Sequence, residues 1–177
     1  MPQPAGPRNL RRQVVRAVGR NGLLLAVLPL GVSLVLWSRL PVAFHPEDFW
    51  QDIPAWLGTA ENALRLLVFA APAFLGFGAA SRGQRAGWWI YAAGVTAYTT
   101  SYLALIGWPA SVWATSLVGF TAPAWTTTLW FVGIARVCEE SWLTARWRWW
   151  WYLIPVTGFV TAHIAHTALV WSRVAGA

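Results

Sequence analysis

Apolar residues gather in five long stretches, roughly Gly22 to Ser38, Leu57 to Ala80, Gly87 to Gly107, Ala110 to Ala135 and Tyr152 to Trp171, with short polar or basic segments between them. A helix rises about 1.5 Å per residue and the hydrocarbon layer is about 30 Å thick, so about 20 apolar residues suffice to cross it. The first stretch is short at 17 residues, but Arg20 and Arg39 stand at its ends, where long cationic side chains can reach the interface. In lipid the backbone must satisfy its own hydrogen bonds, which makes helices the natural answer. The pattern predicts an all-α integral membrane bundle of five transmembrane helices over residues 22–172 (spans 22–38, 57–80, 87–107, 110–135 and 152–171), preceded by a basic tail over 1–21.

Charge gives the bundle an orientation. Arg8, Arg11, Arg12, Arg16 and Arg20 precede the first stretch, Arg82 and Arg85 lie between the second and third, and Arg136, Arg146 and Arg148 between the fourth and fifth. The alternate connections are acidic or nearly uncharged: Glu47, Asp48 and Asp52 outweigh Arg39 in one, and Gly107-Trp108-Pro109 forms the other. The positive-inside bias agrees at every loop and implies N-in, C-out. A cleaved signal peptide fits poorly, since no small-residue cleavage motif follows the first stretch, where the chain reads Arg39-Leu40-Pro41-Val42-Ala43-Phe44. In residues 8–20, Leu10, Val14, Ala17 and Val18 share a helical face opposite Arg12, Arg16 and Arg20. That segment is either a short amphipathic helix on anionic lipid or a disordered tail whose charge sets topology.

Composition agrees with the pattern. Of 177 residues 57% are hydrophobic and only 11% charged, against about 25% charged in soluble domains. Mean hydropathy is +0.47. The fifteen Trp suit a protein that meets headgroups, where the ring is apolar and its N–H stays wet. Every one of the 13 basic residues is Arg, which with the abundant Ala, Gly and Pro points to a GC-rich bacterial genome and hence to the bacterial cytoplasmic membrane. The net charge of +7 would suggest nucleic acid in a soluble protein. Here the Arg residues sit between apolar stretches, so nucleic acid is not the expected partner. Arg12, Arg16, Arg146, Arg148, Trp149 and Trp150 are the candidate interface residues, facing anionic phospholipid on the cytoplasmic side. Cys138, alone in the chain, excludes an intramolecular disulfide and a cysteine-cluster metal site.

Ionisable residues inside an apolar stretch are expensive and call for a functional hypothesis. Glu61 and Arg65 are four apart, on one helical face, in the order that favours an ion pair. They either staple the second span to its neighbours or present the Arg65 cation to an anionic ligand. His163 and His166 are three apart on one face of the fifth span, beside small residues Gly158, Ala162 and Ala165 that suit close helix contact. They either bond a neighbouring helix or serve in metal ligation, proton transfer or ligand binding. Tyr98, Thr99, Ser101 and Tyr102 fall in the outer half of the third span, and Thr115, Ser116 and Thr121 in that of the fourth. Shared depth suggests either a polar cavity opening outward, with Glu61, Arg65, Tyr98, His163 and His166 as its ligand-binding residues, or a hydrogen-bonded core without a ligand.

Several chemistries fit poorly. A di-iron or di-manganese carboxylate site needs more acids than Glu61 alone. Two imidazoles one turn apart on one helix cannot hold opposite faces of a haem, though a single axial His could. His163, His166 and Glu61 are chemically suitable zinc ligands if the second and fifth spans adjoin. Ser-His-Asp hydrolysis lacks a buried acid beside a nucleophile. Cys138 stands beside Glu139 and Glu140, which would raise its pKa and leave it inert.

The stretches Glu61-Asn62-Ala63-Leu64-Arg65 and Gly119-Phe120-Thr121-Ala122-Pro123-Ala124-Trp125-Thr126 resemble a group of small multi-pass bacterial membrane proteins without an assigned activity, a likeness running over the second to fifth spans. It implies a membrane bundle and carries no functional residues over. In span number and Trp content the chain is also similar to the tryptophan-rich sensory proteins, but it lacks their Trp-Pro-Pro loop and reads Phe49-Trp50-Gln51-Asp52-Ile53-Pro54-Ala55-Trp56 instead. The expected function is therefore non-enzymatic binding of a small molecule or lipid. The alternatives are an accessory subunit with a membrane-protein partner or homo-oligomer, and a membrane-embedded metal- or haem-dependent enzyme.

Overall fold

The computed structural model describes residues 18–176, which form an all-α molecule of five helical legs alternating in direction. The first leg is α1 (Leu23–Leu36), continued by a 3-10 turn over Trp37–Arg39. A connection containing α2 (Pro46–Phe49) leads to the second leg, α3 (Ala55–Ala70), which ends in a 3-10 turn over Ala71–Phe74. The third leg is α4 (Arg82–Gly107). The fourth is broken into α5 (Val112–Thr115), α6 (Leu117–Phe120) and α7 (Ala122–Val137). The fifth is α8 (Trp150–Ala175).

The connections at the Arg-rich end are tied together. Leu75–Gly76 (β1) pairs antiparallel with Glu140–Ser141 (β2), and Asn21 bridges Gly76. Phe77 N–H donates to the Arg20 carbonyl at 2.8 Å, and the Arg20 Nε–H returns a bond to the Phe77 carbonyl at 2.8 Å. The backbone leaving α3 thus finds partners that a helix would otherwise have supplied.

The centre is α4 against α7. Gly94 and Gly133 face the opposing backbone so closely that an added Cβ would collide with Trp130 and Tyr91 respectively. Around this contact Trp130, Phe131, Ile134 and Val137 are buried, with Tyr152, Val156 and Phe159 of α8 in the same core. Two buried phenols join legs across it. Tyr91 donates to the Leu25 carbonyl at 2.6 Å and Tyr152 to the Val68 carbonyl at 3.0 Å, satisfying Tyr hydroxyls that burial would otherwise leave unpaired.

The legs depart from the sequence expectation in three places. The second stretch, expected helical to Ala80, leaves α-helix at Ala70; Pro72 lacks the N–H a continuing helix needs, and Leu75–Gly76 turns into the sheet. The fourth, expected continuous over 110–135, is broken because Ser111 and Ser116 accept bonds from the N–H groups of Ala114 and Gly119, starting new helices, and Pro123 opens the next. The third starts at Arg82, five residues early, because Ser81 and Gln84 form a capping box. Among the described residues one helix, Trp150–Ala175, has the length and apolar character to cross a membrane on its own; α4 is as long but less apolar, and the apolar segment Leu23–Arg39 is shorter. Of the proposed basic amphipathic segment over 8–20, all but the last three positions, and with them Arg12 and Arg16, lie outside the described residues.

Candidate functional site

Two legs supply the ionisable cluster, and the connection before α3 closes it. Residues four apart on α3 and three apart on α8 project from single faces, and the two helices pack face to face where Leu64 meets Gly158. Glu61 is thereby fully buried against both histidines. One carboxylate oxygen, Oε1, accepts from the Arg65 guanidinium and stands 2.9 Å from His163 Nδ1. The other, Oε2, stands 2.5 Å from His166 Nδ1. His166, also fully buried, places Nε2 2.9 Å from the Phe49 carbonyl.

These contacts fix the protons. A carbonyl can only accept, so His166 Nε2 carries a hydrogen. The bond between Nδ1 and Glu61 Oε2 then requires a second hydrogen on one of those two atoms. Oε1 already accepts from Arg65, so His163 Nδ1 is a donor as well. Among the described residues Glu61 is the single acid in contact with these groups, and it faces both the permanent Arg65 charge and the proton shared with His166.

Rings hold the cluster in place. His166 stacks on Phe49 with centroids 4.2 Å apart and meets the edge of Trp50 at 4.7 Å. His163 lies parallel to Phe159 at 5.5 Å. The Arg65 guanidinium sits 5.9 Å from the ring centroids of both Trp50 and Phe159, within reach of cation–π attraction. Its Nη1 donates to Asn62 at 2.8 Å.

Beside the cluster lies a cavity of about 310 Å³ between α1, α3, α4, α7 and α8. The Arg65 cation and the His163 imidazole form its polar wall, and among the described residues no acid lines it. Most of the remainder is apolar: Pro29 and Leu30 from α1, Phe44 and Phe49 from the connection, Phe69 from α3 and Phe159 from α8. A hydroxyl cluster faces it from the far side, where Tyr98 donates to Tyr102 at 3.1 Å and bonds Ser33. The buried Trp130 indole N–H, in the same wall, has no hydrogen-bond partner among the described residues.

Of the five sequence-named candidates, four form the cluster, and three, Arg65, Tyr98 and His163, line the cavity. Glu61 bonds Arg65, His163 and His166 directly, while Tyr98 stands in the cavity wall and bonds none of the four. Thr115, Ser116 and Thr121 do not join them; their hydroxyls bond helix carbonyls within the broken fourth leg. The cavity is also more aromatic than the polar chamber expected from shared depth. The zinc reading required α3 and α8 to adjoin, and they do, but the imidazole nitrogens face the carboxylate oxygens as hydrogen-bond partners. Among the described residues no group of three His, Cys, Asp or Glu side chains is arranged to hold a metal ion.

Phe49, Trp50 and Phe159 had no signal of their own in the sequence, because a backbone carbonyl and aromatic walls look like any other apolar position. Cys138 is fully buried at the end of α7, and burial pushes its thiol up to about 12; the cause is loss of solvent and not the neighbouring glutamates. Arg146 and Arg148 are exposed at the Arg-rich end, Trp150 is exposed beside them, and Trp149 lies 4.7 Å under the Arg136 guanidinium.

No family model, curated protein or solved structure matches this chain.

Proposed function

We propose that this protein is a multi-pass membrane protein of the bacterial cytoplasmic membrane, and that the cavity beside Arg65 and His163 binds a small molecule or lipid. The single observation that carries the binding reading is the cavity itself. Apolar walls meet a short list of fixed polar groups there, the usual composition of a ligand pocket.

The membrane reading draws support from the exterior. Leu34 on the first leg is 75% exposed, Leu66 on the second 73%, Trp89 on the third 79% and Ile154 on the fifth 65%. Large apolar side chains turned outward on four separate legs amount to an apolar girdle, which a water-soluble monomer rarely tolerates. Arg20, Arg82, Arg85, Arg136, Arg146 and Arg148 collect at one end of the legs, while Glu47, Asp48 and Asp52 lie in the connection at the other. This is the distribution that sets N-in, C-out orientation. Helices α1, α3 and α7 are shorter than about 20 residues; the 3-10 turns, β1–β2 and the broken fourth leg carry the chain through the remaining depth where protein covers the backbone.

Purification from native membrane in mild detergent, followed by native mass spectrometry, an absorption spectrum and metal analysis, tests the binding reading. A non-covalent mass on the monomer supports it. A stoichiometric protein partner with an empty cavity would replace it with an accessory-subunit role, and bound metal or colour with a redox or metal-dependent one.

A further inference from the structure

The cluster holds one acid for two positive charges. Glu61 balances either Arg65 or the proton that the hydrogen bonds demand between Oε2 and His166 Nδ1, so the group as a whole carries one net positive charge. No other carboxylate lies within ion-pair distance of Arg65, His163 or His166 among the described residues. An uncompensated charge beside apolar walls is unfavourable and draws in a counter-anion. The part of the cluster that can meet one is Arg65, whose guanidinium is partly exposed on the cavity wall and makes no hydrogen bond beyond Asn62 and Glu61 among the described residues. A guanidinium has five donors, so a forked contact to a carboxylate or phosphate is still open to it.

We infer that the ligand is a monoanionic amphiphile with one apolar body, its acidic head on Arg65 and its body against Phe69, Phe159 and Leu30. This deepens the binding reading above and rests on it. The volume selects the body: about 310 Å³ is at the small end of ligand pockets, about 300–1,000 Å³, which suits one chain or a small ring system and not a two-chain phospholipid. Hydroxyls at Ser33, Tyr98 and Tyr102 bond one another, so they do not demand a polar tail.

The test is a titration of the detergent-purified protein with cis-parinaric acid, a single-chain fluorescent acid, and with its methyl ester, read by energy transfer from tryptophan. The acid is expected to bind about tenfold or more tightly than the ester, the difference one charge-assisted hydrogen-bond pair makes. Arg65→Gln should bring the two within about twofold of each other, and Arg65→Lys should restore part of the preference. Equal binding of acid and ester to the parent protein overturns the anionic ligand while leaving an apolar binding cavity. Binding of neither overturns the binding reading itself. Displacement of the acid by millimolar inorganic phosphate identifies a free-anion site and overturns the amphiphile, and a two-chain phospholipid competing better than the acid overturns the single body. The acid–ester comparison needs no variant, so it stands even if a substituted protein fails to fold.

Discussion

Replacing Glu61 separates its charge from its shape, because glutamine can reproduce almost every hydrogen bond the carboxyl makes. In Glu61→Gln the amide oxygen takes the place of Oε1, accepting from Arg65 and His163, and the amide nitrogen takes that of Oε2, donating to His166 Nδ1. His166 Nε2–H still reaches the Phe49 carbonyl. Charge-assisted bonds become neutral ones, a change of about 1 kcal/mol. Glu61→Ala removes the hub altogether and leaves the fully buried His166 Nδ1 without a partner. Breaking a buried charged network in this way destabilises by about 3–5 kcal/mol; the part owed to the half-exposed Arg65 is screened, and most of the loss falls on His166. A chain of this size shifts its midpoint by about 2–4 °C per kcal/mol. Thermal unfolding in mild detergent, followed by tryptophan fluorescence, should therefore lower the midpoint by roughly 10 °C for alanine and roughly 3 °C for glutamine. If alanine melts with the parent protein, the cluster does not join α3 to α8. If glutamine is as damaging as alanine, Glu61 acts as a bare carboxylate and the shared proton is wrong.

Other outcomes follow from the same packing. Gly94→Ala places a Cβ against the Trp130 backbone and should destabilise by about 1–3 kcal/mol or more, whereas Gly31→Ala on α1, with open space around it, should be neutral or stabilise by up to about 1 kcal/mol; paired melting curves check the contrast. Burial raises the Cys138 thiol, so at pH 8 it stays protonated and enclosed, and a maleimide should label it only after unfolding; fast labelling of the native protein would contradict its placement. Reporter fusions after Arg20, Pro46, Gly83, Pro109, Thr144 and Gly176 should alternate in, out, in, out, in, out, and any break in that series removes the proposed topology.

The helical class and the residues of the candidate site could be read from the chain because both depend on local pattern. Apolar stretches give helices, and spacings of four and three put Glu61 with Arg65 and His163 with His166. What joins them could not be read. The meeting of α3 and α8 depends on tertiary packing, and the tight approach of Gly94 and Gly133 lies on α4 and α7, away from the small residues of the fifth stretch, where Ala165 is exposed. Helix ends depart from the hydropathy pattern where side-chain caps and Pro72 overrule it, as at Ser81, Ser111 and Ser116. Phe49 enters through its backbone carbonyl, which any residue there would supply.

Whether the cavity is occupied in its native membrane is read by native mass spectrometry of the gently extracted protein beside a filled variant. Ala124 is buried in the cavity wall on α7, so Ala124→Phe should fill the space, and the melting curve of that variant tells whether the fold survives. One bound non-covalent mass per chain is expected in the parent protein, released by organic extraction and lost in a folded Ala124→Phe variant. A parent protein that carries no such mass, or a filled variant that keeps it, means that the cavity does not hold a native ligand.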